Sequence, residues 1–469
     1  MTTSTLSPID APPLAPDLAS HAEKQHQADS TGLVAKKKVG FVHLGCPKNL
    51  VDTETMLGIL DRESHEIVGS EEEADIVLVN TCAFIDAAQK ESVSVLANLA
   101  EQGKELLITG CLAQKFQGEL LDLFPEARAV VGINNVAEIG EVMKRVEGGE
   151  RVLAMQQDPT YILEEDTVRR HITVGSYTYL KIAEGCDYKC SFCIIPSMRG
   201  AFRSRSVDNI VQNAREMAHR GVTEVILVGQ DSTSYGKDIH SSLPELLRAL
   251  NEIEELQWIR FMYAYPNLVS DELLETINDC DKVVKYLDCP LQHSHPDVLK
   301  RMRRPQTDLV EFAERARAKI KDVKLRTSFI VGFPGETEAE FEHLKATIQQ
   351  VKFDRLGVFE YSDVDTAHSK TLDGKVKKSV IKQRRHELMA LQQQIAFAHN
   401  QAMVGQTVDV LIDMVNPYGT LIGRTQWDAP EVDNTVQVKG QALPGEIVPV
   451  KITQVTPYDL KGVLVETAD

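Results

Sequence analysis

No run of apolar residues in this chain is long enough to cross a bilayer, and no charged-then-apolar leader opens it. Neither a membrane protein nor a secreted one is therefore expected, and the expected location is cytoplasmic. Positive charge is also in deficit: 51 Lys and Arg stand against 69 Asp and Glu, a net charge of −18. The chain as a whole thus lacks the electrostatic footprint of a nucleic-acid binder. A field of that sign repels phosphate backbones and favours a basic protein as partner. Without a secretory leader, the eight cysteines read as reduced thiols available to metal and not as a disulfide framework. At 469 residues the chain exceeds one ordinary domain, and length alone suggests about three.

Three of the cysteines fall within eight residues, in Glu184-Gly185-Cys186-Asp187-Tyr188-Lys189-Cys190-Ser191-Phe192-Cys193. A zinc knuckle needs a fourth Cys or His nearby, and the following Ile194-Ile195-Pro196-Ser197-Met198-Arg199-Gly200 offers none. Three thiolates from one short loop suit an iron–sulfur cube with one iron left open to a small molecule. The spacing resembles the signature of radical S-adenosylmethionine enzymes.

Residues 1–36 are rich in Ser, Thr, Pro, Ala and His, show no apolar periodicity and read as a disordered tail. Over 37–148 the pattern is strand, turn, helix, repeated. Val39–Leu44 runs into Gly45-Cys46, Asp75–Asn80 into Thr81-Cys82, and Glu105–Thr109 into Gly110-Cys111. Short β-branched runs alternating with helical stretches such as Asp86 to Gln102 imply an α/β domain with a doubly wound parallel sheet, whose crevice lies beyond the carboxyl ends of the strands. Buried free cysteines often serve as small hydrophobes. Cysteines at three successive strand ends favour a second metal cluster on Cys46, Cys82 and Cys111.

Residues 171–402 again alternate, with strands expected at Tyr177–Ala183, Glu224–Val228, Trp258–Tyr263, Val283–Asp288, Leu325–Val331 and Leu356–Tyr361. Six βα units imply a central partial, TIM-like barrel, its connecting loops gathered at one mouth and the cysteine loop following the first strand. A long polar helix from about Val380 to Asn400 closes this section. Residues 403–469 then show four short strands, Val408–Asp413, Gly419–Thr425, Thr435–Val438 and Glu446–Gln454, expected to form a small antiparallel β-barrel. It carries nine acidic residues and four basic ones, a balance suited to a basic protein more than to RNA.

Together, Gly45-Cys46-Pro47-Lys48-Asn49-Leu50-Val51-Asp52, Asn80-Thr81-Cys82, Gly110-Cys111, the cysteine loop and a terminal TRAM-like barrel resemble the radical S-adenosylmethionine methylthiotransferases over nearly everything after the tail. Gly45–Asn49, Ile194–Gly200 and Asp428-Ala429-Pro430-Glu431-Val432-Asp433 are similar to the branch called RimO, which modifies ribosomal protein. The sister branch, which acts on an isopentenyl-adenosine of transfer RNA, is the alternative. The resemblance implies methylthiolation of the β-carbon of an aspartate in small-subunit ribosomal protein twelve, a basic protein met free or in the ribosomal particle. It implies two 4Fe-4S clusters, on Cys186/Cys190/Cys193 and Cys46/Cys82/Cys111. Two molecules of S-adenosylmethionine per turnover would act as methyl donor and radical source, supported by an electron donor and a sulfur source. Nucleic acid is not expected as direct substrate, and no acid–base constellation is needed for abstraction from an unactivated carbon.

Further candidates are cofactor contacts. Phe192 would pack near adenine or, equally, close the loop as a core aromatic. Gly229-Gln230-Asp231 and Gly332-Phe333-Pro334-Gly335-Glu336 would offer backbone and polar groups at the barrel mouth, with Gly229, Gln230, Gly332, Gly335 and Glu336 as the contacts. Arg199, Arg203 and Arg205 would clamp a cofactor carboxylate or the substrate aspartate, or else form a solvated loop. His293, Cys280 and Cys289 read as structural.

Overall fold

The structure is a computed structural model that describes residues 36–156, 159–163, 168–173 and 175–465. Apart from Lys36, the tail expected over 1–36 lies outside the described residues.

The first unit runs β1 (Val39–His43), α1 (Pro47–Arg62), β2 (Ile76–Thr81), α2 (Asp86–Glu101), β3 (Glu105–Gly110), α3 (Cys111–Phe116), α4 (Glu119–Leu123), β4 (Ala127–Val131), α5 (Ile139–Glu147) and β5 (Val152–Ala154). All pairings are parallel and the strands lie in chain order. Side-chain alternation sends Val77, Val79, Leu106 and Ile108 to a face covered by Leu96 and Leu99 of α2 and Leu112 of α3. Ile76, Leu78 and Leu107 go to the other, under Met56, Leu57 and Leu60 of α1 and Val142, Met143 and Val146 of α5. Helices therefore cover both faces. Because chain order is kept, the ends of β1, β2 and β3 are immediate neighbours, about 4.8 Å from strand to strand.

The second unit comprises β6 (Tyr177–Lys181), β7 (Ala183–Glu184), α6 (Ile195–Arg199), β8 (Arg203–Ser204), α7 (Val207–His219), β9 (Glu224–Val228), α8 (Leu243–Asn251), β10 (Trp258–Phe261), α9 (Asp271–Asp279), β11 (Tyr286–Asp288), α10 (Pro296–Arg301), α11 (Leu309–Lys319), β12 (Lys324–Val331), α12 (Glu338–Val351), β13 (Arg355–Glu360) and α13 (Lys378–Ala402). Parallel sheets β6-β9-β10 and β11-β12-β13 are joined by a bridge between Ile259 and Val283, giving one arc of six strands in chain order. Among the described residues no pairing joins β6 to β13, so the barrel is partial. Ser206, Ser242, Ser270, Asp308 and Thr337 cap α7, α8, α9, α11 and α12 by accepting from first-turn N–H groups. Outward residues such as Leu180, Leu227, Phe261, Leu287 and Phe329 join the main core beneath these helices.

The third unit is a closed barrel of β14 (Thr407–Val415), β15 (Leu421–Thr425), β16 (Thr435–Lys439), β17 (Ile447–Val455) and β18 (Asp459–Leu464). The fifth strand was not among the four expected from sequence. Asp459-Leu460-Lys461-Gly462-Val463-Leu464 is short and glycine-interrupted, and at Gly462 a β-carbon would meet Val450 Cγ1 at 2.4 Å. An odd number of strands cannot close with every neighbour antiparallel, and the one parallel pair is β16 with β18.

Inward residues of the arc, Tyr177, Tyr179, Ile226, Val228, Trp258 and Tyr286, do not enclose an empty lumen. They pack on Leu50 and Val51 of α1 and on Leu411 and Ala429 of the terminal barrel. The barrel's segment after β15 enters where the strands begin. Arg424 bridges Glu224 (2.8 Å) and Asp413 (2.7 Å), and Arg260 takes the other oxygen of Glu224 at 2.7 Å. Asp428 accepts from Arg355 at 2.6 Å, Asp433 from Tyr286 (2.6 Å) and Arg326 (3.3 Å), and Glu431 from Tyr177 at 3.0 Å. Part of the barrel acidity expected to attract a basic partner is therefore paired internally: Asp428 and Asp433 neutralise Arg355 and Arg326 of the arc and Asp413 neutralises Arg424 of the barrel itself, whereas Glu431 stays exposed beside Tyr177.

Replacing Asp428 by Ala would leave the Arg355 guanidinium buried without its carboxylate. The expected cost is about 3–5 kcal/mol, read as a lower urea midpoint. A midpoint equal to wild type would show that the plug does not depend on this pair.

Candidate functional site

The N-terminal trio forms because three adjacent strands end in the same turn. Register pairs Thr81 with Gly110, so Cys82 and Cys111 lead off side by side, while Cys46 caps α1 just beyond β1. The preceding glycine is dictated by space: Gly110 has φ +92°, and a β-carbon there would meet Thr81 O at 2.3 Å. The carboxamide oxygen of Asn49, itself buried, accepts from the thiols of Cys46 (3.9 Å) and Cys111 (3.8 Å). Burial pushes the Cys82 thiol up to about 11 and raises that of Cys111, so the thiolate form requires a cationic ligand.

The second trio lies on the loop from β7 to α6, at the mouth where the arc's strands end. The loop is pinned by Cys186 N–H to Gly200 O (3.1 Å) and Ser191 N–H to Met302 O (3.0 Å). Burial pushes Cys186 up to about 11 and Cys193 to about 12. Arg304 donates to Cys190 Sγ at 3.9 Å and to Pro290 O at 2.7 Å, and lies 4.2 Å over the ring of Tyr265, which stacks on Tyr188 at 3.8 Å.

One side chain connects the trios. Arg199, at the end of α6, binds Glu184 through Nη1 (2.9 and 3.2 Å) and, through Nη2, Asn49 Oδ1 (2.9 Å) and Asp52 (3.3 Å). Lys181 donates to both Asp52 and Glu184, completing a buried set of two cations and two anions. Burial opposes ionisation of Glu184, but Lys181 and Arg199 hold its carboxyl down at about 2. Arg199 is thus hydrogen-bonded to the amide that holds Cys46 and Cys111.

The three arginines expected as a ligand clamp are engaged internally. Besides Arg199, Arg203 donates to the carbonyls of Arg199, Ala201 and Tyr161, and buried Arg205 to Lys181 O and Asn209. Nor are they a solvated loop: burial selects their partners. The Gly332–Glu336 turn is likewise closed on itself. Glu336 accepts from Gly332 N and Phe333 N, and Gly335 N donates to Gly374 O, so the backbone donors expected to face a ligand are already used. Phe192 is half-buried against the cluster of Val298, Met302 and Phe333. Gly229 O accepts from Lys48 at 3.4 Å. Gln230 differs from these: both amide atoms are buried with no partner, which suits a polar ligand at the mouth. His293 is fully buried with Nδ1 accepting from His295 N, and Cys280 and Cys289 lie in the main core. Lys48, Asn49, Asp52, Lys181, Glu184 and Arg304 were missed as site residues. Asn49 and Asp52 stood in a quoted motif and Lys181 had an inward position by alternation, whereas Arg304 carried no sequence signal.

Family models match residues 180–348 (Radical SAM superfamily), 38–132 (Uncharacterized protein family UPF0004) and 404–465 (TRAM domain). The chain is 50% identical over 442 residues to the ribosomal protein uS12 methylthiotransferase RimO of Prochlorococcus marinus, covering 92% of this chain and 93% of that protein. It is 49% identical over 434 residues to the protein of that name from Thermosynechococcus vestitus, covering 92% and 97%. Among solved structures, the radical S-adenosylmethionine methyltransferase TsrM from Kitasatospora setae, with cobalamin and a 4Fe-4S cluster bound, superposes with a TM-score of 0.54 at 13% identity over 71% of this chain and 77% of that one, a likeness of fold.

Replacing Arg199 by Met should leave Glu184 and Asp52 sharing Lys181 alone, at a cost of about 3–5 kcal/mol. Arg199→Lys, which keeps the charge without the planar fork, should recover part of this. Equal urea midpoints for all three proteins would rule out dependence of the junction on Arg199.

Proposed function

This chain belongs to the RimO methylthiotransferases, radical S-adenosylmethionine enzymes, and from that premise we propose that it attaches a methylthio group to the β-carbon of an aspartate in ribosomal protein uS12. The geometry that carries the reading is the pair of three-thiol sites joined through Arg199 and Asn49, because sulfur insertion at an unactivated carbon needs hydrogen abstraction and sulfur delivery around one cavity. The choice of a protein over transfer RNA rests on the relatives and not on charge, since Asp413, Asp428 and Asp433 of the terminal barrel are paired with arginines.

When bound, a 4Fe-4S cluster on Cys186, Cys190 and Cys193 would supply the electron that cleaves S-adenosylmethionine to a carbon radical, and one on Cys46, Cys82 and Cys111 would supply a site for sulfur. Cys82 and Cys111 are buried and the other four cysteines of the trios half-buried, and a bound substrate would complete the exclusion of water from a radical that attacks most C–H bonds. Gln230 offers an unsatisfied amide to a polar ligand at the mouth of the arc. The Lys181, Asp52, Glu184 and Arg199 set holds the two sites in one orientation without touching the reacting atoms. Two molecules of S-adenosylmethionine, an external electron donor and a sulfur source complete the reaction, which takes place in the cytoplasm on free uS12 or on the ribosomal particle.

Reconstituted enzyme, incubated anaerobically with S-adenosylmethionine, reductant and either uS12 or isopentenylated transfer RNA, is expected to add one methylthio group to the protein alone by intact mass. Addition to RNA alone would overturn the reading. Alanine at Cys186, Cys190 or Cys193 should abolish cofactor cleavage, whereas alanine at Cys46, Cys82 or Cys111 should preserve cleavage and stop transfer. Equal loss of cleavage in both sets would refute the division. Arg304→Met removes a positive charge beside Cys190 Sγ and is expected to lower the midpoint potential of that cluster by about 60 mV, about 1.4 kcal/mol for one electron. Potentiometric titration followed by electron paramagnetic resonance reads the shift directly.

A further inference from the structure

Lys48 is the second residue of α1, two positions after Cys46, and crosses from the N-terminal sheet to the mouth of the arc. Its ammonium lies 3.6 Å from the centroid of the Tyr263 ring and 3.4 Å from Gly229 O, and among the described residues no carboxylate pairs with it. Two neighbouring cations of the site, Lys181 and Arg199, are matched by Asp52 and Glu184, whereas Arg304 is held by Cys190 Sγ, Pro290 O and the Tyr265 ring. Lys48 presents a charge without a carboxylate partner on the side of α1, held by a ring face and one long hydrogen bond, both easily exchanged for a stronger partner.

The surface beneath it is shaped for a ligand. Tyr263 follows β10 with φ +66°, a left-handed conformation rare outside glycine and asparagine. It is fixed there by Tyr263 N–H to Asp288 (2.8 Å) and Ser232 N–H to Tyr263 O (3.1 Å), which aim the ring at Lys48. Beside Gly229 stands Gln230, whose buried amide is unpartnered.

From this cation, ring and free amide we infer that Lys48 binds the carboxylate of the substrate aspartate, setting the β-carbon between the two cysteine trios. The inference rests on the proposed function and adds the residue that recognises the reacting side chain. The carboxylate is bonded directly to the β-carbon that must lose hydrogen and gain sulfur, so its position fixes that of the reacting atom. Lys48 is half-buried, so such a pair is stronger there than the same pair at a fully exposed surface. The cofactor also carries a carboxylate. Lys48 stands on the helix that Cys46 caps, on the sulfur-donor side of the cleft, which favours the substrate.

The test is a binding cycle on the reconstituted holoenzyme, using uS12 with the target aspartate intact or replaced by Ala. Wild-type enzyme should bind the aspartate form about 10-fold or more tighter. K48M should bind both forms alike, and K48R should keep part of the preference. K48Q, neutral and of similar length, replaces K48M should the latter fail to fold. A preference undiminished in the neutral variant overturns the inference and leaves the proposed function standing. So does a loss confined to S-adenosylmethionine affinity, which would assign the charge to the cofactor. Failure of wild-type enzyme to bind either form overturns the proposed function and this inference with it.

Discussion

A buried guanidinium must be fully paired, and at Arg199 that requirement organises the molecule. Its partners come from two segments far apart in sequence: Asn49 and Asp52 of α1, and Glu184 of β7 with, through shared carboxylates, Lys181 at the end of β6. Removing any charged member would strand an opposite charge in a medium where stranding costs several kcal/mol. The set therefore selects a single docking of the N-terminal sheet on the arc. That docking brings thiols from three strand ends up to a loop holding three more. Geometry needed for chemistry is thus guaranteed by side chains that do no chemistry.

The same principle operates at the opposite end of the arc with different residues. Glu224, Arg260, Arg326 and Arg355 point into the arc where its strands begin, and the terminal barrel answers with Arg424, Asp413, Asp428 and Asp433. A residue count treats these acids as a negative surface. Pairing turns them into internal mortar, and composition cannot distinguish the two because it contains no information about which charges meet.

Much of the architecture was nevertheless legible. β-Branched runs ending in Gly-Cys or Thr-Cys identified three strands and their common end, because strand period and the demand for a cramped turn are local properties of the chain. The six repeated βα units and the loop spacing were local in the same sense. What escaped the sequence depends on distant partners. β18 is too short and polar to read as a strand until β16 and β17 flank it. Arg304 looks like any basic residue in Lys300-Arg301-Met302-Arg303-Arg304 until the cysteine loop folds over it. The Gly332–Glu336 turn looked open to ligand because its internal acceptors, Glu336 and Gly374, become apparent only when α13 packs on it.

The plug that fills the arc belongs to the last unit in chain order, and synthesis from the N-terminus gives this order a temporal meaning. When β13 leaves the ribosome, Arg260, Arg326 and Arg355 have already emerged, but Asp428 and Asp433 have not been made. Glu224 and Asp288 already hold Arg260 and Arg326, but Arg355 must wait without its carboxylate, and the apolar strand faces without their cover, until some seventy further residues follow. Completion of the interior is therefore coupled to completion of translation. Chains interrupted before the terminal barrel would present Arg355 and those faces to chaperones and proteases, so the fold itself distinguishes copies that carry the barrel from copies that lack it.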